Sequence, residues 1–138
     1  MLKDLEHTGL VFQAHDPRNR AERYALADLA IGEFLGDVKS STYFLFVTRS
    51  YPLRHDFYIT RLWDARERRY QRVVILSPRM WAAVNGETVT SEFAQLLEVI
   101  RQPARFDFAG QSLIALGYAE WVDKMMRYQQ TGGVHRET

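Results

Sequence analysis

Cysteine is absent from this sequence of 138 residues. Its absence excludes disulfide bonds, thiolate metal sites and a cysteine nucleophile. Long apolar runs are also absent, since the longest uncharged ones, such as Tyr43 to Val47, are far shorter than a membrane span. The first residues lack the apolar stretch of a secretory signal. We therefore expect a cytoplasmic protein without a membrane segment, and a single domain over residues 1–138 with a disordered tail at about 131–138.

Catalytic and cofactor motifs are absent as well. The sequence contains neither the glycine-rich phosphate loops nor the Gly-x-Ser-x-Gly motif of many nucleophilic enzymes. Its four histidines, His7, His15, His55 and His135, do not have the spacing of a metal site. These absences predict a protein with no metal and no cofactor. They favour a binding protein, with an enzyme that has a pocket between sheet and helices as the less favoured class.

Lysine is scarce, with three lysines against fifteen arginines. Eight arginines fall within residues 41–80, which hold only three carboxylates, whereas the segments before and after are each net acidic. A guanidinium pairs bidentately with phosphate or carboxylate and stacks on rings, as an ammonium group does not. An arginine excess is equally typical of a GC-rich genome, so composition alone does not establish anion binding.

Helix signals lie on both sides of the basic segment. Two predicted helices begin with a capping residue followed by proline, at Asp16-Pro17 and Ser77-Pro78. A hairpin turn at Asn85-Gly86 is the alternative to the second of these helices. Apolar residues at helical spacing support the predicted helices other than the one that begins after Ser77. The predicted helices span about 17–35, 78–84, 91–102 and 111–130.

Strand signals dominate the basic segment. The predicted strands span about 42–49, 54–63 and 70–77, with a charged hairpin turn over 64–69 and a brief extended segment at 106–108. The first strand is apolar on both sides, which predicts a central position. The second alternates, with Phe57 and Ile59 on one side and Tyr58 and Thr60 on the other, which predicts one solvated face. Arg61 falls on the apolar side, which predicts a bulge or the rim of the sheet.

The order of these elements predicts an α+β fold. We expect a three-stranded antiparallel meander with an N-terminal helix and two to three C-terminal helices packed on one face. No internal repeat appears in the sequence. Met125 and Met126, near Trp121, are typical either of core or of a hydrophobic patch for self-association, so a homodimer is one expected arrangement.

The basic meander is the expected working surface. Its candidate binding residues are arginines and aromatics, namely Arg49, Arg54, Tyr58, Arg61, Trp63, Arg66, Arg68, Arg69 and Arg72. The last four arginines would contact phosphates, while Tyr58 and Trp63 would stack on bases, with Tyr70 interleaved among them. Cations that follow phosphates beside rings that stack on bases are typical of proteins that bind single strands. The leading hypothesis is therefore non-catalytic binding of single-stranded or structured nucleic acid.

Two other interpretations explain the same residues. Arginine and aromatic side chains are also the usual anchors of protein interfaces. They therefore predict, as the alternative function, an accessory, inhibitor or immunity-type module that docks an acidic protein partner. Alternating arginines on a solvated strand also protect an exposed sheet edge from aggregation, without any partner.

Overall fold

The computed structural model describes residues 2–14, 28–47, 52–84, 86–96 and 100–131. These residues form one mixed sheet of eight strands, together with five short helices. The strands are β1 (Gln13–Ala14), β2 (Leu29–Ile31), β3 (Phe34–Val38), β4 (Phe57–Asp64), β5 (Arg69–Leu76), β6 (Val89–Thr90), β7 (Ala104–Phe108) and β8 (Gln111–Gly117). The helices are α1 (Leu2–Glu6), α2 (Tyr43–Val47), α3 (Pro78–Ala83), α4 (Phe93–Leu96) and α5 (Tyr118–Gln130).

The sheet has the strand order β1-β2-β3-β4-β5-β8-β7-β6. Neighbouring strands are antiparallel, except that β3 is parallel to β4 and β6 is parallel to β7. Each parallel pair is connected through a helix, because parallel strands need a crossover connection. β4 and β5 form the long central hairpin, which is paired from Phe57–Leu76 to Asp64–Arg69.

Helices cover both faces of the sheet. On the first face, α1, α3 and α5 contribute Leu5, Trp81 and Trp121 to one buried cluster. On the second face, α2 and α4 contribute Leu45 and Leu96 to another. Because both faces are covered, neighbouring residues at the start of β4 are buried on opposite sides, as in other sheets between two helical layers.

A topological repeat relates the two halves of the described chain. The order strand, helix, strand, strand, helix occurs first as β3-α2-β4-β5-α3 and again as β6-α4-β7-β8-α5. In each half the first two strands are parallel and the last two antiparallel. The halves meet where β5 pairs with β8, from Val73–Gly117 to Leu76–Ile114. The repeat is present in the topology, although the sequence shows no corresponding repeat.

The predicted three-stranded meander with helices on one face is wrong. The sheet has eight strands, and helices pack on both of its faces. The broader α+β class is confirmed, as are the hairpin strands near 54–63 and 70–77, the turn between them, the helix after Ser77 and the extended segment at 106–108.

The predicted solvated face of β4 is also wrong at the start of the strand. Tyr58 and Thr60 are buried, because the second face is covered there. Arg61 pairs regularly with Arg72, so the strand has no bulge at this point. Arg61 lies at the rim, the other predicted alternative, where coverage of its own face of the strand ends.

The predicted helix over about 17–35 is wrong in its described part. Residues 29–35 form β2 and the beginning of β3, joined by a tight turn in which Gly32 has a φ of 58°. Ile31 pairs with Phe34 across this turn. A spacing of three therefore arises from hairpin closure here, although it also fits a helix. The rest of the prediction, residues 17–27, lies outside the described residues.

The predicted strand at 42–49 is wrong over residues 43–47, which form α2. The helix begins where the Ser41 hydroxyl accepts a hydrogen bond from the backbone N–H of Tyr43 at 3.2 Å and the carbonyl of Thr42 accepts one from Leu45 at 2.9 Å. A five-residue apolar run is compatible with either element, so periodicity could not decide between them.

The two C-terminal helix predictions are correct only in part. The segment predicted at about 111–130 is strand β8 up to Gly117 and helix α5 after it. β8 lies between β5 and β7, and its central residues, 113–116, are all buried. The helix predicted at about 91–102 is described only as the short α4, and residues 97–99 lie outside the described residues. The predicted tail lies outside them too, beyond Thr131.

Candidate interaction surface

The β4–β5 hairpin extends beyond the strands on either side of it. β3 pairs only with residues 57–59 of β4, and β8 pairs only with residues 73–76 of β5. The remaining part, residues 61–72, is a two-stranded ribbon attached to the sheet at its base. We refer to it as the ribbon.

One face of the ribbon carries a group of four side chains that we call the aromatic–arginine patch: Arg61, Trp63, Tyr70 and Arg72. Alternation along the strands places all four on the same face, with Arg61 opposite Arg72 and Trp63 opposite Tyr70. Trp63 is 45 % exposed and Tyr70 is 51 % exposed. Their ring centroids are 5.2 Å apart at an interplanar angle of 72°. The Arg61 guanidinium lies 4.2 Å from the centre of the Tyr70 ring, so these side chains contact one another without a partner.

The two arginines of the patch have different partners. Arg72 forms a 2.9 Å ion pair with Asp4 of α1, and its guanidinium lies 5.0 Å from the Tyr118 ring. The hydrogen bond and charge of Arg72 lower the pKa of Asp4. Arg61 donates from Nε to the carbonyl of Ser40 at 2.8 Å and forms no ion pair with any described residue. Arg72 therefore anchors the ribbon, while the charge of Arg61 is balanced by no carboxylate in the part of the chain that the structure describes.

A buried carboxylate organises the opposite face of the ribbon and its turn. Asp64 is only 1 % exposed, and its Oδ1 accepts hydrogen bonds from the N–H groups of Arg66 at 3.0 Å and Glu67 at 3.2 Å. Its Oδ2 accepts a hydrogen bond from the Gln71 amide and lies 3.6 Å from the Arg101 guanidinium. Burial acts to raise the pKa of Asp64, but the backbone N–H groups and the other donors outweigh it, so the pKa is lowered.

Glu67 completes this network at the turn. Its carboxylate pairs with Arg69 at 2.8 Å and with Arg101 at 3.2 Å, and hydrogen bonds from both arginines lower its pKa. Arg69 therefore lies away from the aromatic–arginine patch, and its charge is balanced within the molecule. Arg101 takes part in the ribbon although no sequence pattern linked it to this hairpin.

The structure divides the nine predicted binding residues among several places. Arg61, Trp63 and Arg72 lie together in the patch, and Arg69 belongs to the opposite network. The remaining exposed arginines are Arg66 and Arg68 in the turn and Arg54 before β4, and none of the three forms an ion pair with a described residue. Arg49 lies outside the described residues.

Tyr58 does not belong to any exposed surface. It is 5 % exposed, its ring stacks on Phe44 at 5.1 Å, and its hydroxyl accepts hydrogen bonds from the backbone of Arg54 and His55. The second ring of the patch is Tyr70, which lies among the arginines in the sequence but is not one of the nine predicted binding residues. Its position opposite Trp63 across a symmetric hairpin was the signal that could have identified it.

The one histidine within the basic segment, His55, has a structural partner. Its Nε2 lies 3.3 Å from Asp37, which also accepts a hydrogen bond from the backbone of Asp28. Within the described ranges no cluster of three or more His, Asp or Glu residues is arranged to hold a metal ion. None of the described helices has the length and apolar character needed to cross a membrane.

The fold and surface define an α+β protein with a projecting hairpin that carries exposed aromatic and arginine side chains. No protein-family model matches the chain, and comparisons with curated proteins and with solved structures find no similar protein.

Proposed function

We propose that this chain is a non-catalytic binding protein that docks an acidic surface of a protein partner through its aromatic–arginine patch. The observation that supports this proposal most directly is the exposure of Trp63 and Tyr70 side by side, with Arg61 stacked on the Tyr70 ring. Tryptophan, tyrosine and arginine are the residue types enriched at the energetic centres of protein interfaces. Side chains that are already ordered lose less conformational entropy when they bind.

The charge distribution favours a carboxylate-bearing partner. Arg61 within the patch, and Arg66 and Arg68 at the adjoining turn, form no ion pair with any described residue. Such cations accelerate and orient docking on an acidic surface. Arg72 and Arg69, in contrast, are balanced by Asp4 and Glu67. Because of these ion pairs, fewer arginines are available to contact phosphates, as the nucleic-acid hypothesis requires.

Nucleic-acid binding is the second candidate, supported by the same three arginines, which form no ion pair with a described residue, beside one exposed tryptophan. With three phosphate contacts, the logarithm of the affinity for a single strand should fall with the logarithm of salt concentration at a slope of about −2. Anisotropy of a labelled mixed-sequence single-stranded oligonucleotide at two salt concentrations measures that slope.

The protein-docking proposal is tested by affinity capture from cell extract with the full chain and a Trp63→Ala variant, followed by titration of any purified candidate. We expect a partner whose affinity falls at least tenfold on Trp63→Ala, equivalent to about 1.4 kcal/mol. Tyr43→Ala is the matched control, since Tyr43 is a 68 % exposed aromatic outside the patch. A chain whose only Trp63-dependent ligand is the oligonucleotide would support the second candidate and overturn the first.

A further inference from the structure

We infer that the partner docks as an extended acidic segment that adds a strand to the edge of β4 in the ribbon, which pairs with no described strand, an inference that rests on the proposed function. β3 ends at Val38, and the bond from the Lys39 N–H to the Ile59 carbonyl, at 2.8 Å, is the last described backbone bond on that side. Beyond it, the backbone of Arg61 and Trp63 has no strand partner among the described residues.

Strand geometry determines which backbone groups are available. The Ile59 carbonyl points toward β3, and successive residues of a strand direct their N–H and C=O groups to alternate sides. Arg61 and Trp63 therefore direct theirs away from β5, toward this edge of β4. An edge of this kind is a template for a further strand, which gains main-chain hydrogen bonds and side-chain specificity together.

On the β4 side of the ribbon, the described contact is the hydrogen bond from Arg61 Nε to the Ser40 carbonyl at 2.8 Å. The β5 side has more of the chain around it and is a poorer place for an added strand. There β8 ends at Gly117, and the chain continues directly into α5 with Tyr118. The Tyr118 ring lies against Arg72, which also binds Asp4 of α1. The beginning of α5 and helix α1 thus lie beside this half of β5.

The chemistry on the two faces of β4 specifies the occupant. Alternate side chains of an added strand would project to the patch face, beside Arg61, and to the opposite face, beside Leu62 at the border of the second core. A segment that alternates carboxylate with apolar residues complements both. A second copy of this chain fits less well, because the two ribbons would bring together arginines that form no described ion pair.

The probe for this inference is a fluorescein-labelled peptide of six residues that alternates glutamate with valine. Its control has the same composition in block order, three glutamates followed by three valines, which cannot present acid to one face and apolar groups to the other. We expect the alternating peptide to bind the full chain at least fivefold more tightly by anisotropy at low salt. Equal affinities, or no binding of either peptide, overturn the inference.

A pair of substitutions separates backbone pairing from side-chain docking. Arg61→Ala removes the side chain, whereas Arg61→Pro also removes the outward N–H and leaves the bonds between β4 and β5 in place. Arg61→Pro should bind the alternating peptide about fivefold more weakly than Arg61→Ala, the effect of roughly one backbone hydrogen bond. Equal affinity of the two variants overturns strand addition. A partner affinity that does not fall on Trp63→Ala, in contrast, would overturn the proposed function itself.

Hydrogen exchange on the unmodified chain provides a second measurement that does not depend on how Arg61→Pro folds. Bound peptide should slow exchange of the Arg61 and Trp63 amides at least tenfold. The amides of Tyr70 and Arg72, on the other edge, should be unaffected. Unchanged rates at Arg61 and Trp63 with the peptide bound mean that it docks without pairing, which overturns the inference.

Discussion

Gly36 shows how much a single residue without a side chain determines in this fold. It lies in β3, between Leu29 of β2 and Phe57 of β4. A Cβ atom at this position would overlap the Phe57 ring, which is fully buried and lies 5.5 Å from the Trp121 ring. The ring of Phe57 can occupy its place in the core only because position 36 leaves that volume empty.

Gly36→Ala should therefore destabilise the protein by about 2–3 kcal/mol, as expected for overpacking of a rigid core. Urea unfolding monitored by circular dichroism measures the loss. Gly117→Ala is the control, since no atom lies within 4 Å of a Cβ built there. Gly117→Ala should lower the free energy of unfolding by less than about 1 kcal/mol, because alanine is a poorer residue than glycine at the N-cap of α5. Similar losses at the two positions would contradict the role assigned to Gly36.

At the scale of the element, the ribbon turn depends on carboxylates whose pKa values are lowered by folding. Asp64 is held by backbone N–H groups, and Glu67 by two guanidinium groups. A lowered pKa in the folded state means that folding favours the ionised form. The resulting stabilisation is complete above the ordinary values of 3.8 for Asp64 and 4.5 for Glu67, and it is lost as the pH falls through the lower folded values.

We accordingly expect the urea midpoint to fall as the pH is lowered below about 4.5. Asp64→Asn should lower the midpoint at neutral pH, because the buried amide cannot replace all of the carboxylate's hydrogen bonds, and should make the acid dependence shallower. Asp123→Asn, in an exposed pair with Arg127 on α5, is the matched control and should have little effect. If the urea midpoint of Asp64→Asn falls with decreasing pH as steeply as that of the unmodified protein, the Asp64 carboxylate does not contribute to the acid dependence.

Elements whose signals are local could be predicted from the sequence. The charged turn between β4 and β5, and the Ser77-Pro78 start of α3, are determined by neighbouring residues, and the structure has both. β8 could not be predicted, because its residues also fit the periodicity of the helix that follows. These residues form a strand because they pair with β5 on one side and with β7 on the other. Long-range pairing overrides periodicity in such segments.

The same distinction applies to the candidate surface. Tyr58 and Trp63 look equivalent in the sequence, since both are aromatic residues among arginines on one strand. The two lie on opposite faces of β4. Tyr58 is buried in the second cluster, beside α2, whereas Trp63 is exposed because no described strand or helix covers its face of the ribbon, although Leu62 and Asp64 on the other face are buried. How far each neighbouring strand extends is a tertiary property, and it decides which aromatic residue is accessible.

At the scale of the whole molecule, the pairing of β5 with β8 joins the two topological halves. Leu116 is fully buried at this junction, in the same cluster as Phe57 of the first half and Trp121 of the second. One core therefore spans both halves on this face of the sheet, and we expect them to unfold together.

Leu116→Ala should cost about 2–5 kcal/mol and leave a single transition, with circular dichroism and tryptophan fluorescence coincident in urea. Leu35→Ala, at a 42 % exposed position, should change stability by no more than about 0.5 kcal/mol. Two separated transitions in either protein would contradict a shared core.

The two halves differ most in their hairpins. β7 and β8 are closed by a tight turn at Ala109 and Gly110, both with positive φ, whereas β4 and β5 continue past their neighbours to form the ribbon. The longer hairpin thus extends beyond a framework whose topology repeats, and the Arg72–Asp4 ion pair and the buried Asp64, beside Arg101, hold it to that framework. The side chains of Trp63, Arg66 and Arg68 are exposed and take no part in these ion pairs, so we expect substitutions there to leave the stability of the scaffold nearly unchanged.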